Sequence, residues 1–171
     1  ILVLFFTLNK DVIASPKSFI EKLTSDASQV LASGENKNQK MIKLIELAEQ
    51  NVDIEGIGLY TLGKYRKNLS EKQISEYETL FRQYFLKSFS SRLSEYTDPK
   101  INVISENIIN EKYTIVSSVL EADEKRPEIK IDWRVYTINP EKLLIRDLII
   151  EGLSLARTQR EEFNSVIQNG D

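Results

Sequence analysis

The spacing of apolar residues changes once along this chain, near Lys100. Before that point apolar side chains recur every three or four residues, which is the period of an amphipathic helix. After it they alternate with polar side chains, as in IKIDWRVYTI at residues 129–138, which is the period of a β-strand. Short polar turns separate the strands, so neighbours should pair antiparallel. We predict an α+β fold, in which N-terminal helices and a C-terminal helix pack on a twisted antiparallel sheet of about four strands.

Side chains that suit helix N-caps mark the predicted helix starts. Ser70 and Gln73 have the spacing of a capping box, and they open the longest predicted helix, which should end at Asp98-Pro99. One face of that helix carries an aromatic-rich stripe: Ile74, Tyr77, Phe81, Tyr84, Phe85, Phe89, Leu93 and Tyr96. The other predicted starts are Ser15-Pro16, Asp53 for a third helix over residues 54–67, and Ser154 for the last helix.

Two residue types are missing from the 171 residues, and their absence excludes several kinds of chemistry. With no cysteine there can be no disulfide, thiolate metal site or thiol nucleophile. With no histidine there can be no Ser-His-Asp triad, and the commonest general base and metal ligand are lost. A net charge of −3 does not favour nucleic acid as a partner. Any catalysis would rest on Asp, Glu, Lys, Tyr or Arg, so these absences make an enzyme less expected. We predict no catalytic residues, no metal and no cofactor.

Residues 1–14, ILVLFFTLNKDVIA, differ from the rest of the chain because they begin with an apolar run. That run is too short to span a bilayer. Val12-Ile13-Ala14 before Ser15 is typical of a secretory cleavage site, so we interpret residues 1–14 as the remainder of a signal peptide and residues 15–171 as one domain. The alternative is a short core strand or helix.

Two motifs could carry chemistry, and both have a simpler interpretation. GLYTLGK at residues 58–64 has the spacing of a phosphate loop, but Tyr65 follows where Ser or Thr is needed, and no strand precedes it. Asp132 or Asp147 could pair with Glu151 as acid and base in an apolar cavity. We favour the simpler interpretation, in which Asp132 faces solvent and Glu151 places negative charge near the start of the last helix.

Three stretches resemble the MlaC family of periplasmic phospholipid-binding proteins, also called toluene-tolerance auxiliary components of a lipid ABC transporter. LGKYRKNLSEKQISEYETLFRQYFLKSFSSRLSEY is similar to the family's Leu-Gly-x-Tyr segment and long aromatic helix. IKIDWRVY is similar to its penultimate strand, and DLIIEGLSLARTQREEF at residues 147–163 to its closing signature. In the family a tryptophan and a tyrosine commonly precede the signature Asp147, whereas this chain has Leu144, Ile145 and Arg146.

The resemblance implies a carrier in the periplasm of a Gram-negative bacterium, and it implies no reaction. Phospholipid would be its cargo, with acyl chains in an apolar cavity between sheet and helices and the head group outside. Its partners would be an outer-membrane lipoprotein–porin complex and an inner-membrane lipid ABC transporter complex, which together maintain outer-membrane lipid asymmetry. The candidate lipid-binding residues are Leu59, Leu62, Phe81, Tyr84, Phe85, Phe89, Val116, Val119, Ile131, Trp133, Val135, Leu148 and Ile150.

Two other functions remain open from the sequence. One is a cone-fold enzyme that acts on a small hydrophobic substrate with a carboxylate base, which requires Asp132 or Glu151 inside the cavity. The other is an adaptor with a filled core and no ligand. Cavity volume distinguishes these, because two acyl chains need about 1,000 Å³.

Overall fold

A computed structural model describes residues 14–170, so most of the predicted signal segment lies outside the described residues. Its α-helices are α1 (Pro16–Ala32), α2 (Lys37–Asn51), α3 (Ile54–Leu62), α4 (Glu71–Leu93) and α5 (Leu155–Gln168), with a 3₁₀ helix at Gly63–Asn68. Its strands are β1 (Ile101–Asn110), β2 (Tyr113–Leu120), β3 (Ile129–Tyr136), β4 (Leu144–Ile150) and β5 (Leu153–Ser154). They form one antiparallel sheet in the order β1-β2-β3-β4-β5. The predicted α+β class is confirmed, with one short strand more than expected.

The predicted helix starts are confirmed by their caps. Ser70 accepts a hydrogen bond from the Gln73 backbone, and the Gln73 side chain accepts one from the Ser70 backbone. Asp53 caps α3 through the Gly56 amide at 2.9 Å, and Ser154 caps α5. Each cap satisfies an amide that the first helical turn leaves without a partner, which is why these side chains predict a start so well.

Two helix ends differ from the prediction. The third helix is α-helical only to Leu62, because Gly63 has φ +54° and ψ −128°, and the following residues wind as a 3₁₀ helix. That backbone conformation favours glycine, since a Cβ would clash. The longest helix ends at Leu93, short of Asp98. The Tyr96 amide bonds to the Leu93 carbonyl, a three-residue spacing that belongs to a tightened last turn.

The sheet has two faces of different character. Val116, Val135 and Ile145 lie on the face that packs against Ile20 of α1, which we call the inner face. Opposite it, the outer face carries Lys130, Arg134 and their cross-strand neighbours. Val116 and Val119 were both predicted to bind lipid, but Val119 pairs with Lys130 and lies on the outer face. The two side chains do not share a face, because residues three apart in a strand point to opposite faces.

Apolar side chains form two buried clusters, one at the sheet and one among the helices. The sheet cluster joins Ile20 of α1 to the inner face. The helix cluster joins α2, α3 and α4 and is centred on Phe81, against which Phe163 of α5 packs. Val52, between α2 and α3, packs against both. None of the helices within residues 14–170 has the length and hydropathy needed to cross a membrane.

Candidate functional site

The inner face is completely covered over β2 and over one end of β3 and β4, and it is half covered farther along β3 and β4. Val135 and Ile145 are 0% and 4% exposed, because α1 packs over them. Farther along the same strands, the paired residues Trp133 and Leu148, then Ile131 and Ile150, are only half-buried. These four predicted residues therefore share one partly open apolar surface.

Polar groups within this surface already have partners. The Trp133 indole donates to Ser118 Oγ at 2.8 Å, and that hydroxyl donates to the Ile131 carbonyl at 3.0 Å. Ser118 is fully buried. Because both donors are satisfied, the exposed part of the surface is hydrocarbon, and an apolar ligand could cover it without breaking a hydrogen bond.

The predicted helical residues do not all point the same way. Phe81 is 4% exposed and stacks on Phe85, and Phe85 stacks on Phe89 with ring centres 5.7 Å apart. Tyr84 is 47% exposed, and its hydroxyl donates to Gln159 of α5 at 3.1 Å. Tyr84, which was predicted to bind lipid, thus packs beside α5. Phe85 and Phe89 are partly buried and pack against the helix cluster.

Two of the pockets on the described part of the chain are smaller than the predicted volume. One holds about 130 Å³, between α3, α5 and the outer face. The other holds about 290 Å³, between α3, the 3₁₀ helix and α5. Both fall well short of the volume of about 1,000 Å³ that two acyl chains need. Among the predicted lipid-binding residues, Leu59 lines the second pocket; Leu62 is 3% exposed and belongs to the core.

The first pocket is lined by arginines that already form ion pairs with aspartates. Arg146 pairs with Asp53 and stacks on the Tyr136 ring, 4.3 Å from its centre. Burial lowers the pKa of the Arg146 guanidinium, the Asp53 carboxylate raises it, and the net change is a rise. Arg134 lies 3.8 Å from Asp147. Through its pair with Asp53, Arg146 ties β4 to the start of α3.

Asp147, rather than Glu151, places its charge at the start of the last helix. Asp147 is 4% exposed; its carboxylate accepts from Ser154 Oγ at 2.5 Å and from the Ala156 amide at 3.0 Å. Both donors belong to the first turn of α5 or its cap, so the charge lies at the positive end of the helix dipole. The predicted role of Glu151 at this helix start was wrong.

Glu151 belongs to the turn between β4 and β5. Glu151 and Gly152 have φ of +50° and +81°, and the two-residue loop joins Ile150 to Leu153. Positive φ at both loop residues is the signature of a tight hairpin turn. The Glu151 carboxylate accepts from the Lys130 amide at 2.5 Å, and its own amide donates to the Lys130 carbonyl at 3.0 Å. The side chain therefore extends the ladder at the end of β3.

Asp132 does not face solvent as freely as expected. Its side chain is 17% exposed and lies 3.5 Å from Lys130, and one carboxylate oxygen is buried without a hydrogen-bond partner. Asp132 lies on the outer face and Glu151 on an exposed turn, so neither carboxylate enters the apolar inner face. Among residues 14–170 no three acidic side chains gather as a metal site would require.

The second pocket collects positive charge that sequence reasoning missed. Arg66 and Lys67 come from the 3₁₀ helix, and Arg160 comes from α5. The signals in the sequence were the basic run KYRK and the single Arg160, but ninety residues separate them. Only the packing of α3 against α5 brings them together.

Comparison with known proteins gives one family and one fold. The model of the family described as MlaC protein matches residues 17–171. A phospholipid-binding protein from Ralstonia solanacearum, solved in complex with a phospholipid, superposes with a TM-score of 0.75. That likeness covers 91% of this chain and 89% of the other at 15% identity, and it concerns the fold. None of the curated proteins matches the chain.

Proposed function

The chain belongs to the MlaC protein family, and from this membership we propose that it binds phospholipid and carries it through the periplasm. The family match over residues 17–171 is the observation that carries the proposal. The Ralstonia solanacearum protein, which has a similar fold and holds a phospholipid, supports it. Binding and transport, without a reaction, are the functions that we assign.

The cargo explains why a carrier needs an apolar interior. Two acyl chains of about thirty methylenes cost on the order of 25 kcal/mol to expose to water, at roughly 0.8 kcal/mol each. No useful flux passes through such a state. A protein surface that replaces the bilayer makes the transfer nearly balanced in free energy, so direction comes from the partners.

We place the acyl chains between the inner face and the helix cluster. Trp133, Ile131 and Leu148 offer half-buried hydrocarbon on the sheet side, and Phe85 and Phe89 offer it on the helix side. Each of the two pockets described is too small for two chains, and we propose that loading separates the two clusters. Val52, which touches both, is where that separation is anchored.

Mass spectrometry of an organic extract of the purified protein tests the function. We expect about one phospholipid per protein, because a single acyl-binding surface serves one diacyl lipid. A homogeneous protein that carries no lipid, and takes none up from vesicles, would refute the proposal. A filled adaptor would give that result.

The partners and location follow from the same assignment. We propose that the carrier shuttles between an outer-membrane lipoprotein–porin complex and an inner-membrane lipid ABC transporter complex of a Gram-negative bacterium. Fractionation of native cells should recover it in the periplasm with Ser15 as its first residue. In-cell cross-linking from the rim of the inner face should capture both membrane complexes, and recovery in the cytoplasm would contradict the location.

A further inference from the structure

The pocket between α3, the 3₁₀ helix and α5 has the lining of an anion site. Arg66, Lys67 and Arg160 surround a volume of about 290 Å³, and no acidic side chain lines it. Within residues 14–170, the ion pairs all use other cations. The neighbouring pocket differs, because its Arg134 and Arg146 are each matched by an aspartate.

Arg160 is positioned by two features of α3. Its guanidinium stacks on the Tyr60 ring, 4.9 Å from the centre. It also lies against Gly63, where a Cβ would come within 2.9 Å of Arg160 Nε. Glycine at that position therefore serves both the positive φ and the close approach of the arginine. Stacking uses the face of the guanidinium and leaves its in-plane N–H groups directed at a ligand.

The chemistry of the lining identifies the ligand. Guanidinium groups bind phosphate oxygens through paired, charge-assisted hydrogen bonds, and a lysine adds a point charge. Leu59 lines the same pocket and offers hydrocarbon beside the cations. A ligand that is anionic at one end and apolar at the other meets both. An acidic protein surface would meet the cations but offers no hydrocarbon chain for Leu59.

We infer that this pocket binds the phosphate group of a phospholipid. The inference rests on the proposed function and adds a recognition element for the head group to it. The carrier would then distinguish phosphate-bearing lipids from neutral lipids with the same acyl chains.

Competition in detergent micelles tests this. Micelles hold equal amounts of phosphatidylglycerol and of diacylglycerol with identical acyl chains, and mass spectrometry counts the lipids that the full chain takes up. We expect wild type to be enriched in phosphatidylglycerol. Arg66→Gln with Arg160→Gln should reduce that enrichment by about tenfold while total lipid stays similar, as expected for the loss of a charge-assisted hydrogen bond.

Arg157→Gln is the matched control. It removes the same charge from the same helix, but its side chain is 74% exposed and pairs with Glu161 outside the pocket. It should keep the enrichment of wild type. Arg66→Gln alone changes an exposed residue and preserves the fold, so a partial loss there supports the site even where Arg160→Gln unfolds the protein.

The outcomes separate the two proposals and the sources of phosphate. Uptake of both lipids without enrichment, or equal enrichment in the double variant, overturns the pocket and leaves the carrier intact. Uptake of neither lipid refutes the carrier. A second experiment adds inorganic phosphate to lipid-free protein and follows the width of its phosphorus NMR signal. If the signal broadens only when both arginines are present, and the double variant keeps the lipid enrichment of wild type, the pocket binds free phosphate. That result overturns the lipid assignment. Arginine-dependent binding of polyglutamate without enrichment overturns it in favour of an acidic protein.

Discussion

Asp147 and Glu151 are four residues apart and have the same functional group, yet their surroundings give them different tasks. Asp147 is buried and accepts hydrogen bonds from the cap and first turn of α5. Glu151 is exposed, with φ +50°, and supports the end of β3 through the Lys130 amide. A carboxylate that is buried against a helix start contributes more to stability than one on an open turn, because its donors lose their partner when it is changed.

Replacing each carboxylate by its amide separates these tasks. Asp147→Asn should lower the free energy of unfolding by about 1–3 kcal/mol, because it removes the charge that Arg134 and the α5 amides face. Glu151→Gln should cost less than about 1 kcal/mol, since water replaces the lost interaction. Urea unfolding of both variants measures the difference. Equal losses would mean that the Asp147 site is as solvated as the turn.

The buried phenol of Tyr77 should make the free energy of unfolding fall at alkaline pH. Burial raises the pKa of its phenol above the ordinary value of 10.0, and a hydrogen bond with Thr61 at 2.6 Å partly offsets this. The folded state therefore holds the proton more tightly than the unfolded state, and stability is fully present below pH 10.0 and is lost as the pH rises through the folded pKa. The ultraviolet absorbance of tyrosinate should show a late-titrating tyrosine that is absent in Tyr77→Phe. An unchanged titration curve at high pH in Tyr77→Phe would contradict the burial.

At the scale of elements, features that depend on neighbouring residues can be predicted from the sequence, whereas features that depend on tertiary contacts cannot. Caps such as Ser70 act within one turn, so helix starts follow directly from the residues. The period-two pattern predicts the strands. The face on which Val119 lies follows only from its cross-strand pair with Lys130. The apolar inner face was predictable from alternation. The cluster of Arg66 and Arg160 was not, because it depends on how two helices pack.

Packing of α3 on α4 predicts an unusual response to a helix-favouring change. Gly58→Ala should gain up to about 1 kcal/mol from helix propensity. The new Cβ would lie 2.8 Å from Phe81 Cδ1, in a ring that other aromatic residues hold in place, and overpacking costs about 1–3 kcal/mol. We therefore expect a lower thermal midpoint by circular dichroism.

Gly34→Ala is the control for this change. No atom lies within 4 Å of its added Cβ, so it should leave the midpoint unchanged or raise it. A rise of the midpoint in both variants would show that Phe81 moves aside freely, contrary to the packing described.

At the scale of the whole molecule, the two apolar clusters define where cargo can be accommodated. The sheet cluster is closed around Ile20 and Val135, whereas Trp133 and Leu148 remain half-buried. Across the same sheet, the outer face carries charged residues. The paired inner-face positions of β3 and β4 carry no charged side chain, whereas the outer face mixes charged and apolar ones. A charge introduced on the inner face should therefore act differently from one introduced on the outer face.

Ile131→Glu and Val119→Glu test that difference. Both residues are half-buried on neighbouring strands, but they lie on opposite faces. A carboxylate at position 131 would have to be buried against acyl chains, which costs several kcal/mol, so bound lipid should be lost while unfolding stays cooperative. At position 119 the new charge meets Lys130 and water, and lipid should be retained. Mass spectrometry and thermal unfolding on each variant check this; the reverse pattern would assign the cargo to the outer face.

The position of Val52 between the two clusters predicts which part of the fold opens first. Clusters that share a single small side chain behave as separate cooperative units, each with its own opening free energy below that of global unfolding. Amide hydrogens of α4 should then exchange as one group and those of β2 and β3 as another. We expect the helical unit to loosen while the sheet keeps its ladder, and in the proposed carrier this low local opening free energy would let a lipid enter.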